Sequence, residues 1–275
     1  GLAAVVFSTV QPRPAPLNLL HWALRHDLPA IAIQESNQLA LSSGRFNNYL
    51  APVDHVLVAS ASEREHLAST GVDPQRIEIT GWPFCTRSGA VPDETRRAAK
   101  MRLGLDPESH VAALTLTAYR DSGESEGVRI EQLRMAREGL STAYQLVIKP
   151  HPIESMTVLR RFVEEYARGA TILDGTIPID DLLNAADLLL NRGVSQVCFE
   201  ALLKAIPVVV LDVGDHTLFH DSAPGVVASD SRGVSEIVRD IEQSADPMAP
   251  YRSVLDLHIP FTSIRAKEIT CERIS

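Results

Sequence analysis

Short apolar runs alternate with amphipathic stretches along almost the whole chain, and this alternation restricts the fold more than any other feature of the sequence. The runs are rich in Val, Ile and Leu, which is typical of strands buried on both faces. Predicted strands cover residues 2–9, 30–33, 55–59, 76–80, 111–117, 145–148, 171–173, 188–190 and 208–212, and predicted helices cover residues 17–25, 60–69, 94–102, 128–138, 157–167, 180–185, 196–203 and 234–242. Because strands and helices alternate, we predict right-handed crossovers, parallel sheets and an α/β fold.

A polar, charged stretch over residues 86–107 is typical of a linker between two sheets. We therefore predict a partial N-terminal α/β domain over residues 1–88, a doubly wound domain over residues 89–245 and a helical segment over residues 246–275. The chain opens at Gly1, without Met and directly into a predicted strand. We expect a processed or trimmed chain whose N-terminal half is reduced or truncated.

Composition narrows the class of protein. Lys and Arg number 26 against 35 Asp and Glu, which gives a formal net charge of −9 and argues against nucleic acid as a partner. The three cysteines are widely separated, with no spacing typical of a metal site, so we expect a reducing, cytoplasmic compartment. No apolar run approaches the roughly 20 residues that span a bilayer.

Three unusual loops follow strands of the second half, where parallel sheets place their ligands. Residues 117–123 contain Arg120, residues 149–152 read Lys-Pro-His-Pro, and residues 191–195 lead into a helix that carries Glu200. Lys149 and His151 are held by two prolines in a rigid, extended turn. Because all three loops end strands of one predicted sheet, we predict a nucleotide site there.

Each candidate residue has a chemical role and a structural alternative. Gly193 permits close approach of a phosphate to the backbone, Arg192 or Arg120 neutralises a diphosphate, and Glu200 accepts bonds from a ribose. The alternatives are that Ser195 simply caps its helix, that Glu200 is solvated and that His151 is structural. The complete set predicted to bind the nucleotide is Lys149, Arg192, Gly193, Val194, Ser195, Gln196 and Glu200.

Residues 179–212 resemble the C-terminal nucleotide-binding domain of GT-B glycosyltransferases. The shared pattern is an Ala-Asp before a strand, a small-residue loop, a Glu-Ala on the next helix and a Pro-Val before the following strand. Here these are Ala186-Asp187, residues 192–195, Glu200-Ala201 and Pro207-Val208, with Ile206 where the family often has Gly. The resemblance implies a GT-B-like fold of two Rossmann-type parallel-sheet halves, with Glu200 on the ribose and the backbone of residues 193–195 on the phosphates.

Residues 149–152 resemble the His-Pro motif shared by bacterial sialyltransferases, capsule-type Kdo transferases and CDP-glycerol glycerophosphotransferases. Residues 118–121 are similar to a loop of the last group, and residues 53–58 through 80–83 resemble the last strands of a GT-B N-terminal domain. This resemblance implies that His151 contacts the donor phosphate. The sequence has no DxD-like triplet, which fits an enzyme that works without a metal, and we expect no cofactor. We expect the donor to be linked to UDP, CMP or CDP.

The resulting hypothesis is a transferase that moves a glycosyl group from a nucleotide-activated donor to a glycan or lipid-linked acceptor in surface polysaccharide or glycoconjugate synthesis. We predict that His151 and Arg120 stabilise the departing phosphate and that Glu35 is the general base. Alternatives are a non-hydrolysing UDP-sugar 2-epimerase, a CDP-glycerol-type glycerophosphotransferase and an inactive nucleotide-sugar-binding protein. Peripheral association with the inner face of the membrane is left open.

Overall fold

The computed structural model describes residues 4–7, 14–33, 52–82, 89–117, 125–193, 195–213, 219–259 and 263–274. Contacts divide the chain into two compact units, Gly1–Arg87 with Ser253–Ser275, and Ser88–Arg252. The boundary between the two units falls between Arg252 and Ser253, within the helical segment that was predicted over residues 246–275.

The first unit contains a parallel sheet of four described strands in the order β1-β2-β3-β4. Its elements are β1 (Val5–Phe7), α1 (Pro14–Arg25), β2 (Ala30–Ile33), β3 (His55–Val58), α2 (Ala61–Ser69) and β4 (Ile77–Ile79). The start of α2 is capped by two side chains, since Ser60 Oγ accepts the N–H of Glu63 at 3.3 Å and the Glu63 carboxylate accepts the N–H of Ala59 at 2.8 Å. Gly71 follows the helix with φ +99°, a conformation in which glycine is unstrained.

The second unit contains a six-stranded parallel sheet in the order β10-β9-β8-β5-β6-β7. Its strands are β5 (His110–Thr115), β6 (Tyr144–Lys149), β7 (Thr171–Ile172), β8 (Leu188–Arg192), β9 (Val208–Leu211) and β10 (Val227–Ala228). Its helices are α3 (Asp93–Arg102), α4 (Glu126–Gly139), α5 (Met156–Tyr166), α6 (Ile179–Ala185), α7 (Gln196–Leu203), α8 (Phe219–Ser222) and α9 (Ser231–Gln243). The chain ends in α10 (Arg252–His258) and α11 (Ser263–Ile274), within the segment that was predicted to be helical.

The order of these strands sets the position of a ligand site. From β5 the chain passes to β6 and β7 on one side, then returns to β8 on the other side of β5 and continues to β9 and β10. The connections therefore diverge between β5 and β8, which is the switch point where open α/β sheets bind ligands at their carboxyl edge. The middle strands are buried on both faces, as the apolar runs predicted.

The polar stretch over residues 86–107 contains the helix that was predicted over residues 94–102. This helix, α3, packs against α6, and its Lys100 donates to Asp187 at 2.9 Å. Arg96 pairs with the same carboxylate at 3.2 Å, and Asp187 also accepts the N–H of Val111 at 2.8 Å. Arg96 and Lys100 of this polar helix thus form a charge cluster with Asp187 at the base of β5 and β8.

Among the helices that the structure describes, none is both long and apolar enough to cross a membrane.

Candidate functional site

Three neighbouring strands of the second sheet end at the same level. Thr115 of β5 is in register with Lys149 of β6 and with Asn191 of β8. The Thr115 hydroxyl donates to Asn191 Oδ1 at 2.6 Å, and Asn191 Nδ2 donates to the carbonyls of Arg192 at 2.9 Å and Gly193 at 3.3 Å. This buried network joins the two strands that flank the switch point and shapes the loop after β8.

Lys149 is a buried cationic residue, since it is only 7% exposed. Its ammonium donates to the carbonyls of Gly175 at 2.7 Å and Pro150 at 3.1 Å. Burial lowers the pKa of Lys149, and the negative charge of Asp174 partly opposes this shift. Among the described residues no carboxylate lies within ion-pair distance of this ammonium, so its charge is available to an anionic ligand.

Asp174 is itself held in the ionised form. Its carboxylate accepts the N–H of Thr176 at 2.8 Å and the Thr176 hydroxyl at 2.5 Å. These two bonds are the main cause of the lowered pKa of Asp174. The loop after β7 thus supplies both a carbonyl and a nearby negative charge to Lys149.

His151 lies on an exposed turn directly after Lys149 and Pro150. Its Nδ1 is 3.4 Å from the backbone N–H of Ile153, and its carbonyl accepts the N–H of Glu154 at 2.9 Å. The contact at Nδ1 favours the neutral tautomer that carries its proton on Nε2. Nε2 is then the ring atom that can donate to a ligand.

Gly175 lies against this turn. A Cβ atom at Gly175 would approach Pro152 Cα to 3.3 Å and the His151 carbonyl oxygen to 3.4 Å. The contact with Pro152 is tighter than most Cβ contacts and both partners are backbone atoms, so a side chain at Gly175 would displace the turn by a few tenths of an ångström.

A cavity of about 550 Å³ opens beside Lys149 and the turn. Its polar lining includes Thr115, Lys149, His151 and Thr176. Its apolar lining consists of Leu116, Pro150, Pro152, Ile177, Pro178, Ile179 and Val197. This size lies within the range of roughly 300–1,000 Å³ typical of small-molecule sites, and apolar walls with a few placed polar groups are typical of such sites too.

Other predicted site residues lie at the end of β8 and the start of α7. Gly193 has φ +59°, and Ser195 occupies the N-cap position of α7. The Ser195 side chain makes no capping bond, and its buried Oγ has no hydrogen-bond partner among the described residues. Ser195 therefore does not act as a simple side-chain cap of α7 in this structure. Arg192 points its Nε to the carbonyl of Val213 at 3.1 Å.

Glu200 is half-buried one turn into α7, where Gln196 Nε2 donates to its carboxylate at 2.7 Å. Desolvation raises the pKa of Glu200, although the bond from Gln196 and the charge of Lys204 oppose this shift. Neither Glu200 nor Gln196 lines the cavity, to which α7 contributes Val197.

The structure thus brings Lys149 and His151 to one cavity, and places Arg192, Gly193, Ser195, Gln196 and Glu200 on the adjoining segment. Glu35, Arg120 and Val194 lie outside the described residues. Sequence reasoning missed Thr115 and Gly175. Thr115 had a usable signal, as a hydroxyl at the end of an apolar strand, whereas nothing local marks Gly175 as a contact of the His151 turn.

No protein-family model and no curated protein sequence matches the chain. Solved structures do match it. Anabaena HepE in complex with UDP and glucose superimposes with a TM-score of 0.63 at 13% identity, over 94% of this chain and 75% of HepE. The UDP-GlcNAc 2-epimerase of Neisseria meningitidis bound to UDP-GlcNAc gives 0.65 at 15% identity, over 98% and 75% of the two chains.

A variant of the wall teichoic acid polymerase TagF gives a TM-score of 0.60 at 13% identity, over 99% of this chain and 74% of TagF. At such identities the likeness establishes the fold. The chain is an α/β protein with two Rossmann-type parallel sheets, the GT-B-like fold that the resemblance of residues 179–212 implied.

Proposed function

We propose that the second unit binds a nucleotide-activated sugar and that the protein transfers its glycosyl group to a glycan or lipid-linked acceptor. The observation that carries this proposal is the buried Lys149 ammonium, which lies beside a cavity next to the switch point and has only backbone carbonyls as hydrogen-bond partners among the described residues. A diphosphate supplies the anionic partner that such a cation lacks. The similarity in fold to HepE, whose structure contains UDP and glucose, supports this ligand class.

The proposed chemistry follows from charge. When the glycosyl carbon separates from the donor, the electron pair of the broken bond moves onto a phosphate oxygen, and the acceptor oxygen forms the new bond. The Lys149 ammonium and the Nε2–H of His151 stabilise the charge that develops on the phosphate. The acceptor hydroxyl gives its proton to a base, and Glu35 remains our candidate. Arg120 remains a second candidate for the phosphate.

The adjoining segment is proposed to hold the rest of the nucleotide. We propose that the backbone of Gly193, Val194 and Ser195 contacts a phosphate, because the start of a helix such as α7 favours an anion. Arg192 adds positive charge to this end of the segment. Glu200 would accept the ribose hydroxyls, with Gln196 orienting its carboxylate.

An epimerase is the second candidate, because the Neisseria UDP-GlcNAc 2-epimerase shares the fold with a TM-score of 0.65. An epimerase acts on the UDP-sugar alone, whereas a transferase needs an acceptor. Incubation with UDP-GlcNAc in the absence of an acceptor separates the two. A new UDP-linked epimer identifies an epimerase, and unchanged UDP-GlcNAc favours transfer.

Titration calorimetry with UDP, CDP, CMP and GDP tests the binding site. We expect one of these nucleotides to bind, and His151→Ala and Glu200→Ala to weaken it. His110→Ala is the matched control, because His110 lies at the opposite end of β5. The site is wrongly assigned if no nucleotide binds, or if both site variants bind as tightly as the control.

A further inference from the structure

A buried ion pair lies beneath the turn that carries His151. Arg129 of α4 and Glu154 approach to 3.5 Å, and their side chains are only 1% and 4% exposed. Charged side chains are rarely buried to this degree unless they are paired. Neither residue belongs to the cavity lining, so their burial needs an explanation other than ligand contact.

The Arg129 guanidinium joins two of the loops that end strands of the sheet. Its Nη2 donates to the carbonyl of Thr117, just after β5, at 2.7 Å. Its ionic partner Glu154 closes the turn after β6, because the Glu154 N–H donates to the His151 carbonyl at 2.9 Å. One buried side chain therefore sets the distance between the β5 loop and the His151 turn.

Stability alone does not account for this pair. The cost of desolvating two charges cancels most of their attraction, and a well-packed apolar pair is often equally stable. A guanidinium differs from an apolar side chain in geometry, because its planar fork directs several N–H groups at fixed angles. The arrangement therefore favours a role in positioning.

We propose that Arg129 and Glu154 are positioning residues that hold the His151 turn and the Thr117 backbone in the geometry that receives the donor phosphate. This inference rests on the proposed function for its ligand, but its structural part, the orientation of His151, can be measured without any nucleotide. Gly175 supports the turn from its other side, through the close approach to Pro152. The turn is thus held both by an ionic contact and by packing.

The decisive variant replaces the pair by apolar residues of similar size, Arg129→Met with Glu154→Leu, which leaves no unpaired buried charge. Its matched control is Arg232→Met with Glu236→Leu, an exposed pair on α9 of the same unit at 2.8 Å. The first measurement is the ¹³C–¹H NMR signal of the His151 ring in ligand-free protein, assigned with His151→Ala. The second is the dissociation constant for UDP.

We expect the His151 signals to shift or broaden in the double variant and its UDP dissociation constant to rise about tenfold, with the control unchanged in both. Glu154→Gln keeps an acceptor oxygen for Arg129 and should leave the His151 signal close to that of the wild type. Glu154→Leu removes that acceptor, should shift the signal, and is the test variant if the double variant does not fold. Unchanged His151 signals in the folded double variant, or in Glu154→Leu, would overturn the proposal. If those signals move but none of UDP, CDP, CMP and GDP binds the wild type, the positioning role stands and the proposed function fails.

Discussion

The two segments at the carboxyl edge of the second sheet, residues 149–152 and 191–200, hold their polar groups in opposite ways. Lys149 bonds to backbone carbonyls beside a cavity, and His151 is exposed on a turn. Asn191 and Glu200 instead bond to groups within or next to their own segment. The first segment offers a ligand a cation with no carboxylate partner among the described residues, whereas Asn191 and Glu200 of the second segment already bond to other side chains. The first segment should therefore contribute more to nucleotide affinity.

The largest effect is expected from Lys149→Met, which keeps the length of the side chain and removes its charge. Loss of a charge-assisted bond to a phosphate should weaken UDP binding by about 100-fold. Lys204→Met is the control, because Lys204 lies on the second segment's helix end and pairs with Asp180 at 2.8 Å. Calorimetry at neutral pH measures both variants. Equal losses of UDP affinity in the two variants would show that the first segment does not contribute more than the second.

An intermediate effect is expected at Thr115, which lies on β5 between the two strands that carry the segments. Thr115→Val removes the hydroxyl that donates to Asn191 Oδ1 and leaves a buried acceptor without its donor. We expect the free energy of unfolding to fall by about 1–3 kcal/mol. Thr115→Ser keeps the hydroxyl and should lose no more than about 1 kcal/mol. Denaturant unfolding measures both, and equal losses would show that the hydroxyl contributes nothing.

The smallest effect is expected from the ionisation of Glu200. Burial raises the pKa of this carboxyl, so the folded state holds the proton more tightly than the unfolded chain. Stability should therefore fall as the pH rises from the ordinary carboxyl range through the raised pKa. The proposed ribose contact needs the carboxylate, so UDP affinity should rise over the same range, by at most about tenfold.

Unfolding free energies and UDP dissociation constants across this pH range, for the wild type and Glu200→Gln, measure these opposite trends. Glu200→Gln should show neither the fall in stability nor the rise in UDP affinity. His151 is present in each protein, so the difference between them isolates Glu200. Identical pH profiles would remove Glu200 from the nucleotide site.

The strand and helix positions were largely predictable because they depend on local patterns. Predicted strand 208–212 is observed as Val208–Leu211, and the helix Gln196–Leu203 agrees at both ends. The two-residue strand Val227–Ala228 was missed, since it is too short to show a period. Helix α3 was found, but its ion pairs with Asp187 depend on a residue far along the chain.

Of the site, the sequence by itself determined that Lys149, His151 and Glu200 follow strand ends, because alternation of strand and helix places such loops at one edge of a parallel sheet. Only the tertiary structure decided what these residues contact. The partners of Lys149 include Gly175, and Arg129 reaches Thr117 and Glu154 from a helix. These contacts depend on strand register and helix packing, which have no local signature in the chain, and they decide which charges remain available to a ligand.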